Sequence, residues 1–562
     1  MRTTNLALLL LMGALAFGCK KNISSELKEK SVSSSDPNVS LLGNGTTYYV
    51  SATGDNTKDG KSIANAWQTI SKVNSENYAP GDHVLFEGGK IFTGTIVATS
   101  SGSNGSYVHY GSYGSGRALI NAGSGHGVFI YNKSNVWVDN LIVYGSWDEN
   151  AQSGSTGAGI FYYNDMPGIR LGDCYVSECD VSGFKNSGIK VQSWSAGLLN
   201  GFNKVVIASN TVHNNAIDGI ITVGSEGGPG SNEYAFSYVY VGLNKVYSNL
   251  GLKAPATIHN GNGILVGGAG SGLVEKNVAY NNGWFCKSPS AGPAGIWCYD
   301  SNGLIFQFNE SYNNGAGPGT PDGDGFDFDG GTTNCIMQYN YSHDNWGAGY
   351  LLWEYGAKRG NNNGNIIRYN ISENDAYQGD FYGSITLGPN CNNNKIYNNT
   401  IYSSYNPAVK IKGGSGTGLF NNIFYNNSSR STVHCATGLS GAYFFNNNYY
   451  AGKNTISIHY NGINYTTLAA FRAATYNEVG NGGSAYGYSV NPLLNNPGGG
   501  GTISSGSSLT ALNSYKLNAG SPMINAGFNL LSNWGINPGT KDFNWTAIPH
   551  GSGYDIGACE AK

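Results

Sequence analysis

Charged residues are scarce in this chain, and neither sign prevails. They make up 12% of the 562 residues, with 31 Lys and Arg against 34 Asp and Glu. No stretch is dense in Lys and Arg, whereas proteins that bind nucleic acids usually carry a basic stripe. We therefore expect an ordinary soluble surface and no nucleic-acid partner.

Cysteine motifs and long helical patterns are also missing. Apart from Cys19, eight cysteines are scattered without a CxxC pair or the spacing of a disulfide framework, so we expect most of them to be buried free thiols. Because no helical periodicity separates the strands, a sheet of alternating strands and helices is disfavoured.

The N-terminus holds the one short apolar run that suits export. Met1 and Arg2 precede the run 6–12, and a small residue precedes Cys19. This pattern resembles a bacterial lipoprotein signal and implies a lipid on Cys19 that holds the protein on a membrane. We expect an exported lipoprotein at the outer membrane or cell surface, with the periplasmic face or simple secretion as alternatives.

A short strand followed by Asn recurs along much of the chain, as in Met337-Gln-Tyr-Asn340. The residue three before each Asn is apolar and alternates with an outward row, as in a strand with one buried face. Since the copies lie 23 to 34 residues apart, the motif predicts a solenoid. We expect the asparagines to stack as scaffold; they are Asn210, Asn244, Asn277, Asn309, Asn340, Asn370, Asn399 and Asn422.

Each repeat also contains a second strand, which begins at Gly in all but the last copy, as in 295–299 or 325–329. Segments outside the repeats carry a resemblance. Residues 48–60, Trp67 and 80–86 resemble the entry segment of pectate-lyase-like parallel β-helix proteins, and 521–527 with 554–558 resembles their C-terminal segment. The resemblance implies a protein that acts on a polysaccharide.

The same resemblance implies an all-β fold, a right-handed parallel β-helix with a short N-terminal capping helix near 65–73 and an irregular C-terminal cap. Such a helix would cover an open apolar end. We expect a monomer with this organisation: signal peptide 1–18, flexible tether 19–46, N-terminal cap and first coils 47–130, β-helix core 131–450, and C-terminal coils and cap 451–562.

Four aspartates fall within residues 321–331, a dense cluster for so neutral a chain. If Phe326 and Phe328 point inward, Asp327 and Asp329 point outward about 6.5–7 Å apart. That separation suits a general acid and a general base with water between them, as in an inverting glycosidase. We predict Asp327 and Asp329 as the catalytic pair, with Asp324 or Glu354 assisting.

Two other interpretations of the acidic cluster remain open. Asp322 and Asp324 could hold Ca²⁺, which prefers several carboxylate oxygens, or the aspartates could be turn residues in a Gly-rich segment. Acid/base chemistry by itself requires no cofactor.

Aromatic and basic residues on neighbouring coils predict a substrate surface. Aligning the second strands places Trp297 and Tyr299 before the acidic pair and Trp353 after it, where rings could stack on sugars. Lys190 lies farther along the same face. His343 falls in a row of Tyr residues three after each Asn, so it either borders the groove or joins a stacked ladder.

Three functions follow from these patterns: a glycoside hydrolase, a Ca²⁺-dependent polysaccharide lyase, and a non-catalytic glycan-binding surface. Residues 322–327 are similar to a calcium-binding stretch of one β-helix pectate lyase family, but the next strands supply no Lys base. Of the polygalacturonase signatures, only Gly125-His126-Gly127 is present, and it falls far before the acidic cluster. We therefore favour the hydrolase.

Overall fold

The computed structural model describes residues 44–228, 230–439 and 441–561. The predicted signal peptide, Cys19 and all but the last three residues of the tether lie outside the described residues. Within the described part, none of the helices has both the length and the apolar character needed to span a membrane.

The chain winds through three long parallel sheets, which we call A, B and C, and each coil contributes a strand to A, then B, then C. Sheets A and C have 14 strands and sheet B has 13. In each repeat, the strand before the Asn belongs to sheet A and the strand after the Asn belongs to sheet B. The second strand of the sequence pattern belongs to sheet C. The predicted right-handed parallel β-helix is confirmed.

The strands of each sheet follow in chain order, each paired with the equivalent strand of the next coil. Sheet A comprises Thr47–Val50, His83–Glu87, Val108–Tyr113, Val136–Asp139, Arg170–Ser177, Gly201–Ala208, Phe236–Gly242, Gly272–Glu275, Leu304–Gln307, Ile336–Gln338, Ile366–Arg368, Lys395–Tyr397, Thr417–Phe420 and Ala442–Phe445. Sheet B comprises Ile91–Thr93, Ala118–Gly123, Leu141–Gly145, Asp180–Ser182, Thr211–His213, Lys245–Tyr247, Val278–Tyr280, Glu310–Tyr312, Tyr341–His343, Ile371–Glu373, Thr400–Ser403, Ile423–Asn426 and Asn448–Tyr450. Sheet C comprises Ile96–Val97, Val128–Tyr131, Ile160–Asn164, Ser187–Ser193, Asp218–Gly224, Asn262–Gly267, Ala294–Tyr299, Asp324–Phe328, Tyr350–Leu352, Ile385–Leu387, Val409–Ile411, Val433–Cys435, Ile458–Tyr460 and Ile463–Tyr465. A further two-stranded sheet pairs Asn362–Asn363 with Cys391–Asn392.

The core runs along the axis of the solenoid and consists of the inward residues of all three sheets. Every apolar residue three before a ladder Asn is fully buried, from Ile207 to Leu419. Period-two alternation therefore sets the orientation of each strand, because a shift by one residue would expose this entire row.

Two ladders of side-chain amides hold successive coils together. In the predicted ladder, Asn340 Nδ2 donates to Asn370 Oδ1 at 3.0 Å, and the same oxygen accepts the Asn340 backbone N–H at 3.0 Å. A second ladder, which was not predicted, lies five residues after the first in each coil. It consists of Asn215, Asn249, Asn282, Asn314, Asn345 and Asp375.

Short helices and a reversed strand close the ends of the core. The predicted N-terminal helix is found at Ile70–Ser75, where Thr69 caps it and Ile70 and Val73 are buried; a 3-10 turn at Ile63–Asn65 precedes it. At the other end, Ile463–Tyr465 pairs antiparallel with Ile458–Tyr460, and the helix Leu468–Thr475 buries Phe471 in the core.

The segment after residue 488 packs along the outer face of sheet B. Its apolar residues, including Leu509, Tyr515 and Met523, form a second cluster with Tyr341 and Ile371 of that sheet. A 3-10 turn, Gly506–Ala511, and a short helix, Leu530–Trp534, lie within the segment. This segment removes much of sheet B from solvent, and its residues Leu530 and Ile536 also pack on sheet A.

The cysteines are as predicted. All eight in the described part of the chain are buried free thiols, and most lie within the solenoid core. Cys298, for example, points inward from the strand that precedes the acidic cluster.

Candidate active site

The strand Asp324–Phe328 carries the acidic cluster on sheet C. Phe326 and Phe328 are fully buried in the core, so Asp327 between them points to the outer face. Asp327 pairs with Trp297 on the preceding coil and with Leu351 on the following one. Both the orientation and the register are those that the alternation of the sequence predicts.

Asp327 faces outward but lies inside a narrow cleft, with only 7% of its surface exposed. The cleft is bordered on one side by an apolar cluster around Trp297 and on the other by Leu351 and Tyr382. Loops between sheets B and C supply the remaining walls. The cleft lining is His259, Gly292, Pro293, Ala294, Trp297, Asp322, Asp324 and Asp327.

Asp322 is the best hydrogen-bonded of the four aspartates. The Tyr382 hydroxyl donates to its Oδ1 at 2.5 Å, and the Gly292 N–H donates to its Oδ2 at 3.0 Å. The glycine is required there because a Cβ atom at position 292 would lie 2.5 Å from Asp322 Oδ2. Burial raises the pKa of Asp322, and these two hydrogen bonds oppose the rise.

The other three aspartates each have a buried oxygen without a hydrogen-bond partner: Oδ2 of Asp324 and Oδ1 of Asp327 and Asp329. Asp324 Oδ1 accepts the Ala348 N–H. Burial, assisted by the neighbouring carboxylates, raises the pKa of all three well above the usual range. Burial thus shifts all four aspartates toward the protonated form, and Asp322 least, because donors engage both of its oxygens.

The aromatic rings beside Asp329 lean away from it. A Cβ atom at position 267 would lie 2.4 Å from the Tyr299 ring, and one at position 388 would lie 2.4 Å from the Trp353 ring. Each ring thus covers a glycine on its far side, because only glycine leaves room for it. Asp329 itself is only 6% exposed.

Trp297 and Trp353 are fixed by protein contacts. Trp297 is 3% exposed, its Nε1 donates to Asn262 Oδ1 at 3.0 Å, and its ring lies 4.8 Å from that of His259. Trp353 is half-buried, and the Lys412 ammonium lies 5.6 Å from its ring centroid. Burial, together with the nearby Lys410, lowers the pKa of Lys412 to about 7.

Glu354, for which the sequence predicts an assisting role, binds backbone groups of its own loop and of the preceding coil. Its Oε1 accepts the N–H groups of Gly356 and Ala357, each at 2.8 Å, and its Oε2 accepts that of Gly331 at 3.0 Å. With both oxygens engaged by backbone donors, Glu354 fixes the turn after Trp353.

A buried ion pair fixes the same loop. Arg359 Nε lies 2.5 Å from Asp300 Oδ1, and Arg359 Nη2 donates to the Glu233 carbonyl at 2.9 Å. Its guanidinium also stacks 4.0 Å above Tyr234. Arg359 thereby joins the loop after Trp353 to the loop around residue 233, which leaves sheet C four coils earlier.

The structure does not bring Lys190 or His343 into the cleft. Lys190 is four coils from Asp327 along sheet C, about 19 Å at the usual strand spacing. His343 lies on sheet B, where it is 2% exposed, stacks between Tyr312 and Tyr341, and lies 3.3 Å from Glu310. The predicted substrate role of His343 is wrong, and its alternative, a stacked ladder, is what the structure contains.

Two residues of the cleft were missed by the sequence analysis. His259 Nδ1 donates to the Gly292 carbonyl at 2.7 Å, and Tyr382 binds Asp322 from a loop 60 residues later. Both lie in loops between sheets B and C that vary in length from coil to coil. The signal available was that length itself, because four of the five loops between sheets B and C that exceed ten residues lie around the acidic cluster.

The alternative prediction for Asp322 and Asp324 was a Ca²⁺ site. Over residues 44–228, 230–439 and 441–561, no group of three or more His, Cys, Asp or Glu side chains has the arrangement to hold a metal ion. Three of the four oxygens of Asp322 and Asp324 already accept hydrogen bonds from protein donors.

Comparison with known proteins agrees with this fold. A family model for a right-handed beta helix region matches residues 255–363, which include the whole cleft lining. This chain is a right-handed parallel β-helix protein. A lacto-N-biosidase from Bifidobacterium longum subsp. longum is 25% identical over 507 residues, covering 73% of this chain and 31% of the relative. The chain thus spans about a third of the length of that protein.

Among solved structures, a GH136 lacto-N-biosidase from Eubacterium ramulus is 17% identical, with a TM-score of 0.43 over 71% of this chain and 68% of that one. A pectate lyase is 15% identical, with a TM-score of 0.39 over 93% and 98%. A mannuronan C-5 epimerase module from Azotobacter vinelandii is 13% identical, with a TM-score of 0.41 over 66% and 93%. Likenesses at this level indicate neither substrate nor reaction.

Proposed function

We propose that this protein is a glycoside hydrolase that cleaves a polysaccharide or related glycan with a pair of aspartates in the cleft of sheet C. The observation that carries the proposal is the contrast within one cluster. Asp322 accepts two hydrogen bonds, whereas Asp327 and Asp329 each have a buried oxygen without a partner. An acid and a base with separated pKa values are what glycosidic cleavage requires.

In this scheme Asp322 is the ionised carboxylate. The Tyr382 hydroxyl and the Gly292 N–H stabilise its charge, while burial and the charge of Asp322 keep Asp327 and Asp329 protonated. The protonated group donates its proton to the glycosidic oxygen as the bond to the anomeric carbon breaks. The carboxylate either activates a water molecule or attacks the anomeric carbon, and both routes return the proton to the cluster.

Asp327 and Asp329 are both candidates for the general acid, because the pKa of each is raised well above its usual range. Substrates with different leaving groups distinguish the two. Replacing the acid with Asn removes the proton that a sugar leaving group needs, but a dinitrophenolate departs without one. We expect the Asn variant of the true acid to lose most activity on a natural glycan and to keep most of it on a dinitrophenyl glycoside. The other Asn variant should affect both substrates alike.

The relative supports hydrolysis. The name lacto-N-biosidase describes an enzyme that releases lacto-N-biose, and the alignment covers 73% of this chain. We therefore include glycosides of lacto-N-biose among the first substrates to test, beside acidic and neutral plant and algal polysaccharides.

A polysaccharide lyase is the second candidate because of Lys412. A lysine with a pKa of about 7 suits a general base, and its ammonium is near Trp353 and Tyr382 at the edge of the cleft. Against it, the lysine nearest in register to Asp327 is Lys410, three coils away, about 14 Å. Lyases abstract a proton close to the group that neutralises the substrate's acid.

The assay that tests the proposal measures two products at once. Hydrolysis creates reducing ends without unsaturated sugars, whereas elimination creates both, so each substrate is followed by a reducing-sugar reaction and by ultraviolet absorbance. We expect reducing ends alone from at least one glycan and their loss in Asp322→Asn. Asp344→Asn serves as the matched control, because Asp344 has an exposed side chain directly after a strand of sheet B. Unsaturated product, or full activity in Asp322→Asn, would refute the hydrolase.

We also propose export and lipid attachment at Cys19, on the N-terminal pattern alone. Growth with an alkyne-tagged fatty acid should label the wild type and leave the Cys19→Ser variant unlabelled. Label in both variants, or in neither, would refute the anchor.

A further inference from the structure

Four aromatic rings form an array on the outer face of sheet C, far from the acidic cleft. Phe129 and Tyr131 lie on one coil, and Phe161 and Tyr163 lie beside them on the next. Neighbouring ring centroids are 5.5 to 5.8 Å apart along all four edges of the array. We call this array the aromatic platform.

The platform is not part of the core. The residues that alternate with it, Val128, Ile130, Ile160 and Tyr162, are fully buried and fill the interior of these coils. Tyr131 is 42% exposed, and the other three rings are half-buried. Exposing a contiguous aromatic surface to water is unfavourable in free energy, so such a surface indicates a ligand-binding site more often than a structural role.

Fixed polar groups flank the platform on both sides. His126 stacks on Phe129 at 5.1 Å, and its Nδ1 accepts the Ala158 N–H at 2.9 Å. A neutral imidazole that accepts at Nδ1 carries its proton on Nε2, which makes that nitrogen a donor. Burial lowers the pKa of His126 and so favours the neutral ring.

On the opposite side, Asp165 is an acceptor. Its Oδ2 accepts the Tyr131 hydroxyl at 2.6 Å, and its Oδ1 accepts Asn132 Nδ2 at 2.9 Å. These hydrogen bonds lower the pKa of Asp165, so it is ionised near neutrality. Each carboxylate oxygen has lone pairs left for a further donor.

We infer that the aromatic platform is a glycan-binding site separate from the cleft. A pyranose presents an apolar face of C–H groups that stacks on flat rings, and its hydroxyls suit a donor at one edge and an acceptor at the other. The ionised Asp165 disfavours acidic sugars. The Lys190 ammonium, 5.5 Å from Phe161, is engaged by Asn186 Oδ1 at 3.3 Å. The occupant is therefore a neutral glycan.

The platform and the cleft share one outward row of sheet C. The register leads from Phe161 through five pairings to Asp327, about 24 Å at the usual strand spacing. A long glycan held at the platform would stay near the cleft and raise its local concentration there. This consequence rests on the proposed hydrolase, but binding at the platform does not.

The test is affinity electrophoresis in native gels that contain a neutral polymer, either β-glucan or galactan. We expect at least one polymer to retard the wild type, and Tyr131→Ala with Phe161→Ala to weaken its Kd roughly tenfold or more, since each lost stack is worth about fivefold. Tyr443→Ala is the matched control, because Tyr443 is a 57% exposed ring on sheet A. Phe161→Tyr keeps a ring and should bind like the wild type.

Thermal melting of each variant shows that it is folded, and the single variant Tyr131→Gln replaces the double variant if that one unfolds. The inference is overturned if no polymer retards the wild type, or if the platform and control variants bind equally. It is also overturned if sedimentation reveals a dimer that the double variant dissociates, because the rings would then join two copies of the chain. Electrophoresis needs no turnover, so failure of hydrolysis leaves these outcomes unchanged.

Discussion

Replacing Tyr382 with Phe removes one oxygen atom from the wall of the acidic cleft. That oxygen donates to Asp322 Oδ1 at 2.5 Å, and the ring itself packs against Leu351 and Ala376, so Phe keeps the packing. The carboxylate loses its hydroxyl donor and keeps the Gly292 N–H. Because the lost bond stabilised the ionised form, the pKa of Asp322 rises in the variant.

The size of the change follows from the kind of bond. A hydrogen bond to a charged group contributes about 1.5–3 kcal/mol, and one pH unit corresponds to about 1.4 kcal/mol. We expect the acidic limb of the kcat/KM profile to move to higher pH by about one to two units, with the lower figure favoured because Asp322 is only partly buried. The activity at the optimum should fall less than the activity on the acidic side.

The assay is a pH–rate profile on the best substrate found, for the wild type, Tyr382→Phe and Tyr377→Phe. Tyr377 lies in the same loop, packs against Trp346, and serves as the matched control. A profile of Tyr382→Phe that coincides with the wild type, or one displaced to lower pH, would contradict the assignment of Asp322 as the ionised group.

Further predictions concern stability and metal dependence. Arg359→Met leaves Asp300 buried without its partner and should cost about 3–5 kcal/mol in urea unfolding, part of which Asp300→Asn should restore; an additive loss would refute the pair. Burial alone would lower the pKa of His343, but Asp344 and Glu310 outweigh it and raise the pKa to about 9. The folded pKa lies above the unfolded value of about 6.5, so this stabilisation is complete below pH 6.5 and lost as the pH rises through 9, by up to about 3 kcal/mol. His343→Gln should flatten that loss, and an unchanged slope would refute it. Treatment with EDTA should leave the hydrolytic rate unchanged, and a loss that Ca²⁺ restores would favour the metal interpretation of Asp322.

Repetition made the scaffold and the register predictable. Each strand is short, and its alternation is local, so the row before each Asn fixes which side faces the core. The position of Asp327 between Trp297 and Leu351 follows from counting along equivalent strands. The second amide ladder, five residues after the first, lies beyond the sheet B strands, so the alternation within the strands does not mark it.

Contacts between segments that are far apart in the chain could not be predicted from the sequence. Tyr382 meets Asp322 across 60 residues, and Arg359 meets the Glu233 carbonyl across 126. Nothing in the local pattern of either loop specifies its partner. The substrate role predicted for His343 was wrong for the same reason. The distant C-terminal segment covers its neighbour Glu310, which accepts the Ile503 N–H at 2.7 Å.

The orientation of the aromatic rings could not be predicted from the sequence either. Tyr299 and Trp353 lie beside the acids, as predicted from the aligned strands. The direction in which their rings lean was not predicted. The glycines at positions 267 and 388 decide which way the rings lean, and their meaning appears only when neighbouring coils are stacked.

The most direct test of the account is the fate of solvent oxygen during cleavage. A susceptible glycan is digested in water enriched in oxygen-18, and the new chain ends are analysed by mass spectrometry. The account predicts one solvent oxygen at each new reducing end and none in reactions of Asp322→Asn. Ends without solvent oxygen that are lighter by one water would contradict it, because they would show elimination in place of hydrolysis.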